Sequence, residues 1–197
     1  DTAVGALIQK AVKNDIAIYS AHTNYDIAPE GLNDFLADKL GVKDSTPLQV
    51  TEVQTLKKLV VFVPEDALEK VREGLGEAGA GYIGDYSYTS FYQSGTGSFK
   101  PLAGSNPYQG EKEELNQVTE YRLETIVEEE ILTKVIDRLK EVHPYEEVAY
   151  DIIPLSNSGK KQGLGRIGTL KKEMKLAEYM KIVKNKLNIN NLKYVGD

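Results

Sequence analysis

The chain has 197 residues, 41% of them hydrophobic and 27% charged, with a formal net charge of −6. That length suits one large domain or two small ones with their own cores, and an acidic balance without a basic stripe argues against nucleic-acid binding. The absence of cysteine excludes disulfides, thiolate metal sites and thiol nucleophiles. No apolar run reaches the roughly 18 residues of a membrane span, so a cytoplasmic protein without membrane contact is expected.

The first elements predict an α/β unit. Residues 3–14 read as a helix, with Leu7, Ile8, Ala11 and Val12 on one face and Asn14 as its end. Ile16-Ala17-Ile18-Tyr19 is continuously apolar, the pattern of a parallel strand covered on both faces. Residues 30–40 read as a helix with Leu32, Phe35, Leu36 and Leu40 as its stripe and Gly41 as its stop.

The texture changes near Lys57. "KKLVVFVP" reads as a strand, and "EDALEKVREGLGEAGA" as a helix with Leu68, Val71, Leu75 and Ala78 inward. Residues 82–102, rich in tyrosine, threonine and glycine, read as two strands or a long hairpin, and "NPYQG" as a turn. "VTEYRLETIV" alternates as a half-buried strand. "EEILTKVIDRLKEV" is a helix with Ile131, Leu132, Val135, Leu139 and Val142 inward, and "EVAYDIIPL" a strand. That order, βαββαβ with an elaborated middle, is the ferredoxin-like plan. "SNSGKKQG" then reads as a polar linker and "LGRIGTL" as a short strand. Residues 174–187 read as an amphipathic helix and "LKYVG" as a final strand. That last strand lacks a partner in the chain, and the chain opens without methionine; both suggest an internal piece of a longer protein.

Four motifs carry potential chemistry. "GLGRIG", residues 163–168, fits G-x-G-x-x-G, but a polar loop precedes it and a strand follows it, so turn glycines are expected rather than a dinucleotide site. "SGTGSF", residues 94–99, reads as a hairpin turn before it reads as an anion cradle. In "HPYEE", His143 reads as a charge-favourable helix C-cap before a proline stop; a metal reading would pair it with Glu146 or Glu147. The other histidine, His22, follows the apolar run at 16–19, with Asp26 four residues on. The carboxyl end of a buried strand is where open α/β sheets place ligands. The pair could hold a divalent metal, act as a proton shuttle with its orienting partner, or be a surface histidine and a helix-capping aspartate. Two donors are too few for a metal site by themselves.

"YSAHTNYDIAPEGLNDFLADKLG" resembles the HT-x-x-D … G-x-N-D-x-L signature of the Nif-three-like family, the GTP cyclohydrolase I type 2 homologues. "GAGYIGDYSYTSFYQSGTGSFKPLAGSNPYQG" and "HPYEEVAYDIIPL" look like the insert of the longer, YqfO-type bacterial members, which is similar to PII and CutA proteins; "GLGRIGTL" matches the return into the parent domain. The resemblance implies an incomplete Nif-three-like α/β domain interrupted by a ferredoxin-like, PII/CutA-like α+β insert. Residues 1–56 would end the first half, 57–154 form the insert and 155–197 start the second half. It implies a two-metal centre with zinc, iron or manganese undistinguished, built from a paired-histidine motif, HT-x-x-D and H-x-x-x-E, of which this chain carries the middle one. Asp26 would be the firmer metal ligand, and His22 a catalytic group that lines the site or joins the metal. The implied activity is a dinuclear-metal-dependent hydrolase acting on a small molecule or nucleotide. The alternative is a regulatory, ligand-sensing module in a ring-shaped oligomer. The implied assembly is a homohexamer built from trimers, to which the tyrosine-rich segment from Tyr82 to Leu102 contributes.

Overall fold

The computed structural model describes residues 2–195. The chain divides into two compact units, residues 53–160 and residues 1–52 with 161–197. Two long strands, β1 (Val42–Pro64) and β4 (Tyr150–Leu170), each contribute residues to both.

Residues 53–160 hold the better-formed core. The end of β1 leads through a single 3-10 turn, Glu65–Ala67, into α4 (Leu68–Ala78). Then come β2 (Ser90–Phe99), β3 (Asn116–Glu128), α5 (Leu132–Val142) and the start of β4. The sheet order is β2-β3-β1-β4. β3 runs antiparallel to both neighbours, with Leu56 opposite Glu128 on β1 and Ser90 opposite Thr125 on β2. This is the βαββαβ ferredoxin-like arrangement that the order of helical and alternating patterns predicts.

The period of the apolar residues explains the packing. Leu59, Val61 and Val63 on β1 and Leu123 and Val127 on β3 share one sheet face. Against them lie Leu68, Val71 and Leu75 of α4 and Val135, Leu139 and Val142 of α5, all buried. α4 stops at Gly79, whose φ of 109° is a left-handed conformation suited to glycine, and Ala80 N–H returns to Leu75 O at 3.0 Å.

His143 is the C-cap of α5 but is not held there by charge. It is only 6% exposed. Tyr145 N–H donates to Nδ1 at 3.1 Å, which leaves the proton on Nε2 to donate to Phe62 O at 3.0 Å. Both ring nitrogens of the neutral imidazole are thus spent, and no lone pair is left for a metal. Burial lowers the pKa below the ordinary histidine value, partly opposed by the Phe62 carbonyl. The folded state therefore resists a proton that the unfolded state accepts. Stability is complete above the ordinary histidine pKa and falls as pH drops below it. Denaturant titrations at pH 7.5 and 5.5 are expected to show that loss, and His143→Gln to flatten it.

Several expectations need correction. Residues 82–102 hold a single strand, β2 (Ser90–Phe99), with an isolated Ile83–Tyr86 bridge before it, rather than a hairpin. "SGTGSF" is therefore strand, neither turn nor anion cradle: its residues pair with β3 from Ser94–Tyr121 to Phe99–Asn116. "SNSGKKQG" is strand as well, inside β4, because pairing with β1 satisfies a backbone that its side chains would leave as a loop. "LKYVG" forms no strand over 192–195, and its last residue, Gly196, lies outside the described residues.

The other unit contains α1 (Ala3–Lys13), α2 (Thr23–Ile27), α3 (Leu32–Leu40), the first part of β1, the last part of β4 and α6 (Leu176–Leu187). α1 starts on Thr2, whose hydroxyl accepts from Gly5 N–H at 3.1 Å, and stops at Asn14. The buried strand expected at 16–19 is absent. Ile16, Ile18 and Tyr19 are exposed, as are Leu7, Ile8 and Val12 of α1. A strand exists only by pairing, and among the described residues no strand lies beside this segment. Among the described residues, no helix is long and apolar enough to cross a membrane.

Candidate functional site around His22 and Asp26

Both predicted residues lie on one short element. His22 is the N-cap of α2 and is exposed; Asp26 lies in the same turn and is half-buried. The segment is tied by its own polar groups. His22 N–H donates to Asn24 Oδ1 at 2.8 Å, and Asn24 Nδ2 donates to the Tyr19 hydroxyl at 2.5 Å. His22 Nδ1 is 2.8 Å from the Thr23 hydroxyl. Among the described residues, neither Nε2 of His22 nor the Asp26 carboxylate has a hydrogen-bond partner, so an imidazole nitrogen and a carboxylate remain available to a ligand.

The start of α3 braces this element. Asn33 Nδ2 donates to the backbone carbonyl of Asp26 at 2.9 Å. Gly31 lies so close to α2 that a Cβ there would fall 2.2 Å from Tyr25 O and 2.8 Å from Ala28 O. Glu30, with φ of 59°, directs its N–H to Asp34 Oδ2 at 2.9 Å. Asp34 in turn receives two hydrogen bonds from Arg166, one from Nε to Oδ1 and one from Nη2 to Oδ2 at 2.7 Å. The Arg166 side chain is 6% exposed and Asp34 31%. Hydrogen bonding to the guanidinium holds the Asp34 carboxyl below the usual carboxylate range.

Arg166 belongs to "GLGRIG", and the structure gives those glycines a role. All of 163–168 lies in β4. A Cβ on Gly163 would come within 2.0 Å of Gln49 O, and one on Gly168 within 2.4 Å of Lys43 O. Here β4 presses against β1 too closely for side chains. Arg166 Nη1 also donates to Gly163 O at 2.9 Å and Gly165 O at 2.7 Å. The motif is a strand that anchors an arginine: it lacks the strand-to-helix context of a phosphate loop, and its glycines are not the turn glycines expected but lie within β4.

Sequence reading missed Asn33, Asp34 and Arg166 as parts of this arrangement. Asn33 and Asp34 stand in the G-x-N-D-x-L signature, and Arg166 in the six-residue glycine motif, but no spacing rule joins positions 132 residues apart. The chemistry on offer is two donors on a braced turn. Among the described residues no group of three or more His, Cys, Asp or Glu side chains is placed to hold a metal. His22 and Asp26 match a divalent metal in donor type but do not close a site by themselves.

Comparison with known proteins assigns the family. The model of Duf34/NIF3 (NGG1p interacting factor 3) matches residues 1–197, and the chain belongs to that family. It is 49% identical over 197 residues to a GTP cyclohydrolase 1 type 2 homolog of Bacillus subtilis, covering all of this chain and 53% of the relative. It is 50% identical over 196 residues to the homolog of Halalkalibacterium halodurans, with the same coverage. The crystal structure of a Bacillus cereus protein related to NIF3 superposes with a TM-score of 0.86 at 46% identity, over all of this chain and 52% of that one. The chain thus spans about half the length of the relatives it matches, and its fold is the mixed α/β fold of that family with a ferredoxin-like unit inside it.

Proposed function

We propose that the full-length protein is a divalent-metal-dependent hydrolase, with a nucleotide or similar small molecule as substrate. Asp26 and His22 would be its contribution from this chain. The observation that supports the reading is the braced α2 turn: a carboxylate and an imidazole kept clear of internal partners, on an element fixed by Asn33, Gly31 and the Asp34–Arg166 pair. The relatives' name, GTP cyclohydrolase 1 type 2 homolog, gives GTP as the first substrate to try. When bound, a metal would supply Lewis-acid activation of water or of a substrate oxygen. Asp26 would hold it, and His22 would line the site, positioned to hold or move a proton at Nε2.

GTP turnover by the full-length protein, with and without added Mn²⁺ or Zn²⁺, tests the reading. His22→Ala is expected to lower turnover about a hundredfold, the scale of a lost general acid–base group, while metal content falls little. Turnover indifferent to both metal and His22 would overturn the reading.

Assembly is the second part of the proposal: a homohexamer built from trimers through residues 53–160. β2 is an edge strand, exposed along most of its length; Phe91 and Tyr92 on it and Tyr82 and Tyr86 before it are exposed aromatics. Edge pairing between subunits would cover both the open ladder and the rings. Light scattering on the full-length protein is expected to give a mass near six chains. Phe91→Lys, a charge on that edge, is expected to reduce it without unfolding the subunit. An unchanged mass would remove β2 from the interface.

A further inference from the structure

Within residues 53–160, the loop after β2 and the segment after α5 border a cleft of about 900 Å³, a volume usual for small-molecule sites. Its walls include Phe62, Phe99, Tyr108 and Tyr145. The Tyr108 and Tyr145 rings stand 6.0 Å apart, tilted by 49°. Its charge is one-sided: Glu120, Glu146 and Glu147 line it against a single lysine, Lys100.

Three hydroxyl protons at or beside this cleft are already committed. Tyr145 donates to Glu120 Oε1 at 2.8 Å, Tyr108 to Asp66 Oδ2 at 2.6 Å, and Ser105 to Leu102 O at 2.7 Å. These hydroxyls have only lone pairs left for a ligand. Glu120 lies across Gly97 of β2, where a Cβ would fall 2.0 Å from Oε2. With Oε1 engaged by Tyr145, Oε2 is left to accept. Glu146 is likewise fixed, its Oε1 accepting from Asn106 N–H at 2.8 Å.

A cleft walled by rings and lined by three carboxylates against one lysine, with two carboxylates fixed in place, fits a ligand that brings donors and positive charge. An ammonium would make charge-assisted hydrogen bonds to the carboxylates and lie against aromatic faces. A phosphate or carboxylate ligand would meet three like charges and one lysine. The geometry points to a binding site for a small organic cation, a primary ammonium on a flat apolar body. This site shares no residue with the His22–Asp26 turn and stands independently of the metal reading.

Calorimetric titration of the 197-residue chain with phenethylammonium, with its neutral counterpart 2-phenylethanol and with ATP tests it. The amine is expected to bind saturably, with the alcohol and ATP each at least about tenfold weaker, the scale of one charge-assisted hydrogen bond. Glu120→Gln, which keeps the size of the side chain and removes its charge, is expected to weaken the amine about tenfold. Should that variant fail to fold by circular dichroism, Glu147→Gln at an exposed position is expected to weaken it in the same direction. Absence of amine binding at millimolar concentration, equal binding of amine and alcohol, preference for ATP, or amine binding unchanged in the folded variant would each overturn the inference.

Discussion

Asp26→Ala in the full-length protein is expected to lose about one equivalent of divalent metal, or to hold it far more weakly, while the fold persists. Removing a carboxylate that ligates a cation removes charge as well as a bond, and its supporting groups cannot substitute. Here the support is all backbone-directed: Asn33 holds the Asp26 carbonyl, and Gly31 fixes the turn from below. None of it depends on the carboxylate, so the variant should fold and lose only the ligand. Elemental analysis after dialysis, beside thermal melting, reads both. Unchanged metal content would count decisively against Asp26. The 197-residue chain is expected to bind divalent metal only weakly, because among its described residues no third donor joins His22 and Asp26.

How much of this could be read from the sequence depends on whether the determining interactions are local. The longer helices were legible because their apolar residues recur at helical spacing, with Asn14 ending α1 and Gly41 ending α3, whereas α2, five residues long, is too short to show a period. The core-facing residues of β3 were legible through alternation. What failed was the polar strand sequence that only a distant partner makes a strand. Residues 42–56 and 156–163 are polar on most positions, yet β1 and β4 pair there, and the pairing alone makes them strands. Ile16 to Tyr19 failed in the opposite sense: composition favours a strand, but no neighbour within the described residues completes one. His143 shows the same limit for chemistry. Its place at a helix end suggested a charged cap, whereas Phe62, 81 positions earlier, takes its Nε2 proton and its burial keeps it neutral.

The Asp34–Arg166 pair is the clearest case of such long-range dependence, and it carries a large expected effect. Arg166→Ala is expected to destabilise the folded chain by about 2 kcal/mol, between the values for an exposed and a buried ion pair, because Asp34 is partly open to water. The guanidinium is nearly enclosed, and its loss removes a donor from three acceptors at once: the Asp34 carboxylate, which keeps the Glu30 N–H, and the carbonyls of Gly163 and Gly165. Asp34→Asn should cost less, because Asp34 is partly open to water and its replacement can still accept one bond. The double variant is expected to be more stable than the sum of the two losses predicts, since each partner's absence removes the penalty of leaving the other unpaired. The pair also carries an acid signature. Arg166 lowers the folded-state pKa of Asp34, so its contribution is complete at neutral pH and is lost as pH falls through and below the ordinary carboxylate range. That part of the acid dependence should disappear in Arg166→Ala. Denaturant unfolding of the four proteins at about pH 7 and about pH 3, on either side of the ordinary carboxylate pKa, reads all of this, and strict additivity would mean that the two side chains are neighbours without coupling. If the brace holds α2 in place, Arg166→Ala in the full-length protein should also weaken metal retention while leaving both His22 and Asp26 intact.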